Sequence, residues 1–303
     1  MGATRQTTYS ELAMPEAGRS FYAPRMRIRT VDAFAERPFT GNPAAVVLLD
    51  AGPYPDDSRL QALAAEMNLS ETAFARPLPD AEEEADWELR WFTPTTEVAL
   101  CGHATLATAH LLAADGLLPR GGTVRFRTLS GILPATHEPD ATLTLDFPTA
   151  RLTPVPVPEG ASDVFGTDVV AAWETGDLGM LLLEVADERT LHGLAPDPAA
   201  VMTLPCPIVI VTAPADGDFS GGTAHDYASR VFGPAVGIPE DPVTGSAHTA
   251  LAPLWSGRLS RDDLTGLQLS RRTGLVRTRL RGERTLLGGS ALTILDAHLE
   301  AAL

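Results

Sequence analysis

A chain of 303 residues, 44% hydrophobic and with a mean hydropathy of +0.02, has material for two ordinary domains or one large one. Its net charge of −16 excludes a nucleic-acid partner, because phosphate binding is carried by clustered basic side chains. All 23 basic residues are arginine, which excludes chemistry built on a lysine amine: an internal pyridoxal phosphate aldimine, a Schiff-base aldolase or a GxxxxGKS/T phosphate loop.

The first 25 residues are polar and mixed and lack the apolar centre of a secretory signal. They read as a flexible extension, and the protein as cytoplasmic; no apolar run reaches the roughly 18 residues that would span a membrane. Arg27–Phe34 reads as a strand, and the run Ala44–Leu49 as another after the turn Thr40-Gly41-Asn42-Pro43. Leu60, Leu63, Ala64 and Met67 recur at helical spacing over Ser58–Met67, with Asp56, Asp57 or Ser58 available as cap. Glu71–Ala75 and Glu88–Phe92 are short strands, and Asp80-Glu82-Glu83-Glu84-Asp86 between them reads as a solvated acidic loop. Gly102–Ala114 predicts a helix stopped by Gly116, and Val124–Thr128 and Leu143–Phe147 return to strand. Pro148, Pro154, Pro156 and Pro158 suit a linker, which divides the chain into domains 26–149 and 150–303. Beyond it come strands at Met180–Val185 and Ile208–Thr212, a helix near Gly245–Trp255, and strands from Leu267 to Leu295 that can pack back on the first domain.

The halves echo one another. Phe92-Thr93-Pro94 precedes Cys101-Gly102-His103-Ala104, and Phe232-Gly233-Pro234 precedes Thr244-Gly245-Ser246-Ala247. Each copy reads as a strand or loop followed by an Ala-rich helix. A helix start offers unpaired N–H groups and partial positive charge, and glycine lets a ligand approach closely. Gly102 and Gly245 are therefore either tight turns or two halves of a carboxylate site built without lysine. Glu71, among apolar and small residues at a helix-to-strand junction, is either a surface carboxylate or a base whose pKa burial would raise. Asp241, held extended by Pro242, either forms an Asx-type turn, orients a histidine or binds a substrate amine or hydroxyl. His103 is a cap partner or an acid, base or donor, whereas His110 and His248 lie within helices and read as packing or surface residues. Cys101 and Cys206 are too few for a disulfide framework or a structural zinc site, and no GxGxxG, HExxH or GxSxG occurs. No cofactor and no metal is expected.

Taken in order, the segments Val31-Asp32-Ala33-Phe34, Phe39-Thr40-Gly41-Asn42-Pro43, Asn68–Phe74, Leu89–Pro94 with Glu97, Leu100–Thr105, Ser229–Phe232 and Glu240–His248 resemble the PhzF (phenazine-biosynthesis) family from about Arg27 to the C-terminus. The resemblance implies an α+β fold like that of diaminopimelate epimerase: two pseudo-symmetric domains, each a bent, mostly antiparallel sheet around a central helix, with the site between them and a homodimer as the assembly. It implies Glu71 as general acid/base, supported by His103, Asp241 and Ser246, with Asn42, Ser70, Gly102 and Gly245 binding substrate. Epimerases of this fold use a cysteine at each helix start; here Thr244 replaces the second, which breaks a two-thiol mechanism. Thr273 also stands in Arg272-Thr273-Gly274 where a second glycine is expected.

The expected function is a cofactor-independent isomerase moving a proton on a small carboxylate-bearing metabolite. The alternatives are an amino- or hydroxy-acid epimerase or racemase using Cys101, and a metabolite-binding protein that has lost the chemistry.

Overall fold

The computed structural model describes residues 26–79, 84–216, 224–300 and 303. The N-terminal extension read from the sequence lies outside them, as do Asp80, Glu82 and Glu83 of the acidic loop. Asp86 of that loop is not merely solvated: its carboxylate accepts from the Arg125 guanidinium and from the Arg125 backbone N–H.

The first half runs β1 (Arg27–Ala33), β2 (Asn42–Leu48), α1 (Asp57–Met67), β3 (Glu71–Pro77), β4 (Trp87–Phe92), β5 (Glu97–Val98), α2 (Gly102–Ala114), β6 (Thr123–Thr128), β7 (Gly131–His137) and β8 (Leu143–Pro148). The second repeats the plan with β9 (Thr153–Val155), α3 (Ala161–Phe165), β10 (Val169–Glu174), β11 (Leu181–Val185), α4 (Glu188–Gly193), α5 (Pro198–Val201), β12 (Val209–Pro214), β13 (Tyr227–Gly233), β14 (Ile238–Asp241) and α6 (His248–Leu259). It closes with β15 (Asp263–Gln268), β16 (Gly274–Arg281), β17 (Arg284–Gly289) and β18 (Ala291–His298).

Pairing makes the repetition explicit. β1–β2, β3–β4, β6–β7 and β7–β8 are antiparallel while β2–β3 and β4–β6 are parallel. The same pattern returns in β10–β11, β12–β13, β15–β16 and β16–β17, with β11–β12 and β13–β15 parallel. The two series are stitched by β8 against β17. β18 then leaves the second half to pair with β1, and β9, the strand that follows β8, takes the corresponding place against β10.

Burial on both faces explains the nearly unbroken apolar strands. In β2, Ala44 and Val46 join the core around α2, whereas Ala45 and Val47 face the opposite core under α1. In β11, Leu182 packs towards α6 while Leu181, Leu183 and Val185 line the core beneath α3, α4 and α5. α2 is apolar nearly all round because the sheet wraps it. Its buried Thr105 and Thr108 satisfy their hydroxyls on the Cys101 and Ala104 carbonyls.

α6 begins at His248, three residues later than the sequence suggests. Residues 245–247 form a tighter turn in which N–H groups reach the third carbonyl back, as in Ala247 to Thr244 and His248 to Gly245. No helix among the described residues is long and apolar enough to cross a membrane.

The turn into β2 is fixed by Gly41, at φ +70°, whose absent Cβ would sit 2.2 Å from the Ala33 carbonyl oxygen. The Gly41→Ala variant is expected to lose at least about 2 kcal/mol, since it adds left-handed strain to an overlap with backbone. Urea midpoints measure this; a wild-type midpoint would show that the turn yields.

Candidate active site

α1 ends where Asn68 adopts φ 49°, a left-handed turn that delivers Glu71 as the first residue of β3. α2 starts beside it at Gly102, and the Thr244–Ala247 turn arrives from the second half. Gly102 and Gly245 back onto one another: a Cβ on either would lie 3.6 Å from the other's Cα. Beneath Gly245, the Phe34 ring occupies space that Gly289 leaves free.

A cavity of about 180 Å³ opens at this meeting point. Its polar wall is Glu71, Gly102, His103, Asp241, Gly245 and Ser246, with Cys101 and Thr244 between them. Its apolar wall comes from Met180, Ile208, Val231, Val236 and Ile238, together with Leu100. No arginine among the described residues lines it.

Asn42 and Ser70, expected to bind substrate, do not line the cavity. Asn42 is completely buried, and its amide nitrogen donates to Asp241 Oδ1 (2.9 Å) and the Val243 carbonyl (2.9 Å), so it positions the Asp241 loop. Ser70 lies in the turn before β3. Two positioning groups escaped the sequence reading. Gln268, fully buried, accepts from the Thr244 N–H and donates to the Asp241 carbonyl; a polar residue between Leu267 and Leu269 was the only local signal. Arg272 joins Asp32 Oδ1 (2.7 Å) and the Gly41 carbonyl (2.9 Å), pinning a second-half loop onto the turn that carries Asn42. His110 bonds Thr293 and His248 bonds Tyr227, away from the cavity wall.

The electrostatics follow from burial. It pushes the Glu71 carboxyl up to about 8; nearby Asp241 adds to the rise, and a hydrogen bond with Cys101 offsets part of it. Burial lowers the His103 imidazole to about 3, so the ring is neutral at physiological pH. Burial also raises Asp241, against hydrogen bonds from Thr244 and Asn42, while Glu240 adds to the rise. The Cys101 thiol is held well above its ordinary value by burial first and by Glu71 second.

His103 Nε2 lies 3.2 Å from Glu71 Oε2, yet neither atom makes an aligned hydrogen bond. The Asn42 amide nitrogen stands 3.3 Å from His103 Nδ1 and can only donate. In the Nε2–H tautomer the ring proton faces Glu71. Donor atoms of Glu71, Cys101 and His103 fall within 4.8 Å of one another, a spacing that suits a metal ion. Loading one there requires release of the raised thiol and carboxyl protons.

The arrangement therefore offers a buried carboxyl that titrates near neutrality, a neutral hydrogen-bond donor beside it, and two helix starts for an anion. Its fold is shared with solved PhzF-family proteins and with epimerases. A hydroxyproline epimerase from Agrobacterium vitis matches with a TM-score of 0.59 at 13% identity, over 92% of this chain and 93% of that one, a likeness of fold alone. The phenazine biosynthesis-like protein (PhzC-PhzF) family model matches residues 31–297, and the chain belongs to that family. A Pseudomonas aeruginosa protein named as an uncharacterized isomerase is 45% identical over 276 residues, covering 90% of this chain and 98% of its own. The crystal structure of a PhzF-family phenazine biosynthesis protein from Enterococcus faecalis superimposes with a TM-score of 0.82 at 36% identity, covering 91% of this chain and all of that one.

A raised carboxyl pKa has a stability cost of known sign. Native Glu71 binds its proton more tightly than the unfolded chain, so its stabilisation is full below about pH 4.5 and is lost as pH rises through about 8. Glu71→Gln is expected to match wild type near pH 4 and to exceed it above pH 8 by on the order of a few kcal/mol. Denaturant curves at both pH values check this, and equal pH dependence of the two proteins would contradict it.

Proposed function

We propose that this chain is a cofactor-independent isomerase that moves a proton on a small carboxylate-bearing metabolite, with Glu71 as general acid and base. The observation that carries the reading is the Glu71 carboxyl, buried in the cavity, raised to about 8 and set 3.2 Å from a neutral His103.

In this reading the substrate carboxylate sits at the helix starts of Gly102 and Gly245, with the Ser246 hydroxyl beside it. Ionised Glu71 takes a proton from the carbon next to that carboxylate. The electron pair delocalises onto the carboxylate oxygens, where helix-start N–H groups and partial positive charge stabilise it. Protonated Glu71 then returns the proton to another carbon of the delocalised system, and the double bond moves. His103 Nε2–H steadies the Glu71 carboxylate while it is charged, and Asp241 keeps its proton affinity high. The same reading takes the protein to be a homodimer, on the strength of the family resemblance.

Glu71→Gln is expected to reduce solvent deuterium incorporation into substrate by at least about 10³-fold while leaving binding intact. Unchanged incorporation rejects Glu71 as the proton carrier, and tight binding without exchange in wild type favours a silent binding protein.

Because Glu71 must be ionised to act as base, kcat/KM is expected to rise about tenfold per pH unit below pH 8 and to level above it. His103, which titrates near 3, and Cys101, held well above its ordinary value, do not produce this limb. A flat profile from pH 5 to 9 contradicts the assignment.

Cys101 favours one competing reading, an epimerase, since it lines the cavity and bonds Glu71. Loss of optical rotation without a change in absorption, abolished by Cys101→Ala, would establish that reading instead. The proposed isomerase retains most of its activity in Cys101→Ala.

A further inference from the structure

A second cavity of about 240 Å³ adjoins the first and shares two of its walls, Leu100 and Ser246. It lies where the chain leaves β8, and it is faced by the apolar side chains of Phe147 and Leu178. Arg151 also lines it. Most arginines of the described residues are committed to carboxylates, among them Arg29, Arg90, Arg230, Arg258 and Arg272. Arg151 is not: among the described residues it has no ion-pair or hydrogen-bond partner.

The two cavities differ in the charge they offer. The first holds two acidic side chains and no cationic one, so only backbone N–H groups and helix-start charge attract an anion there. The annex adds the Arg151 guanidinium, with Asp177 also on its wall, separated from the Gly102 and Gly245 turns by an apolar stretch that begins at Leu100. In a chain of net charge −16, an unpaired guanidinium facing a cavity next to a carboxylate site is an unusual placement. Guanidinium groups suit carboxylates through two parallel N–H donors.

We infer that the annex is the distal half of the substrate site and that Arg151 reads a second acidic group, so the substrate class is an elongated molecule with carboxylates at both ends. The near carboxylate rests at Gly102 and Gly245, the apolar body passes Leu100 and Ser246, and the far carboxylate meets Arg151. Asp177 lines the same annex and disfavours a distal group of excess negative charge, which makes a carboxylate a better fit than a phosphate. This inference rests on the carboxylate-binding reading of the two helix starts.

The test is binding of simple probes to the full-length protein, followed by calorimetry or ligand-observed NMR. Three series are compared at equal chain length: straight-chain monocarboxylates from butyrate to octanoate, the α,ω-dicarboxylates from succinate to suberate, and the corresponding ω-amino acids. At one length or more, the dicarboxylate is expected to bind about tenfold tighter than the monocarboxylate. That advantage disappears in Arg151→Gln, whose monocarboxylate binding is unchanged. Arg151 is exposed, so the variant is expected to fold as wild type does.

The inference is overturned if no dicarboxylate gains over its partner, if the gain survives Arg151→Gln, if the ω-amino acids gain instead through Asp177, or if none of the probes binds. Deuterium exchange in Glu71→Gln is measured separately. Failure of the annex therefore leaves the proton-transfer reading standing, and loss of that reading does not alter the outcome of the probe series.

Discussion

The close approach of the α2 start at Gly102 to the turn at Gly245 that leads into α6 is the constraint on which the rest of this molecule depends. Each carries partial positive charge, and bringing two together without a side chain between them is unfavourable unless something negative lies nearby. The chain answers with geometry rather than with basic residues. Gly102 and Gly245 let the backbones touch, Phe34 fills the space beneath, and Gln268 and Asn42 fasten the loop that brings Asp241. The carboxyls of Glu71 and Asp241 lie at the same place, and burial favours their protonated forms. An anion entering the cavity thus meets a Glu71 carboxyl that holds its proton up to about pH 8.

The pseudo-symmetry of the two halves makes the differences between them informative. Cys101 corresponds to Thr244, Gly102 to Gly245, His103 to Ser246 and Ala104 to Ala247, so the two motifs share a glycine and an alanine and differ in every group that could carry chemistry. Glu71 directly precedes Thr72, which pairs with Phe92, and the matching place in the second half is Ile208, which directly precedes Val209 paired with Phe232. The acid is therefore present in one half only. Asp241, which pairs with Val231 in β14, has Val98 paired with Trp91 as its first-half counterpart. Each half contributes one carboxyl from a position that is apolar in the other. Binding groups follow the repeat, and ionisable groups break it.

What the sequence made legible were local features. The strand and helix periods over 27–147, the helix start at Gly102 and the unusual setting of Glu71 all depend on neighbours a few residues away. The echo between the glycine motifs pointed to two converging helix starts, because backbone geometry at a helix start repeats whenever the sequence does. The remainder was hidden by separation along the chain. Asn42 and Asp241 are 199 residues apart, and Arg272 and Asp32 are 240 apart, so neither partner carries a local sign of the other. The start of α6 was missed because a turn closed by bonds to the third carbonyl back has the same residue pattern as a first helical turn. Asn42 was assigned to substrate when its amide is already committed to the Asp241 loop.

The exchange of end strands has a bearing on how this protein comes into being. β1 at Arg27–Ala33 has β18 at Ala291–His298 as one of its two neighbours, with Arg27 bonded to Asp296 across 269 residues. During synthesis, the first half emerges with one edge of its sheet lacking a partner and its core around α2 missing Val276 and Leu287. It has to persist as an incomplete assembly with an exposed strand edge until nearly the whole chain has left the ribosome. A product truncated before β18 would hold all the residues of the cavity wall and still leave that edge of β1 unpaired.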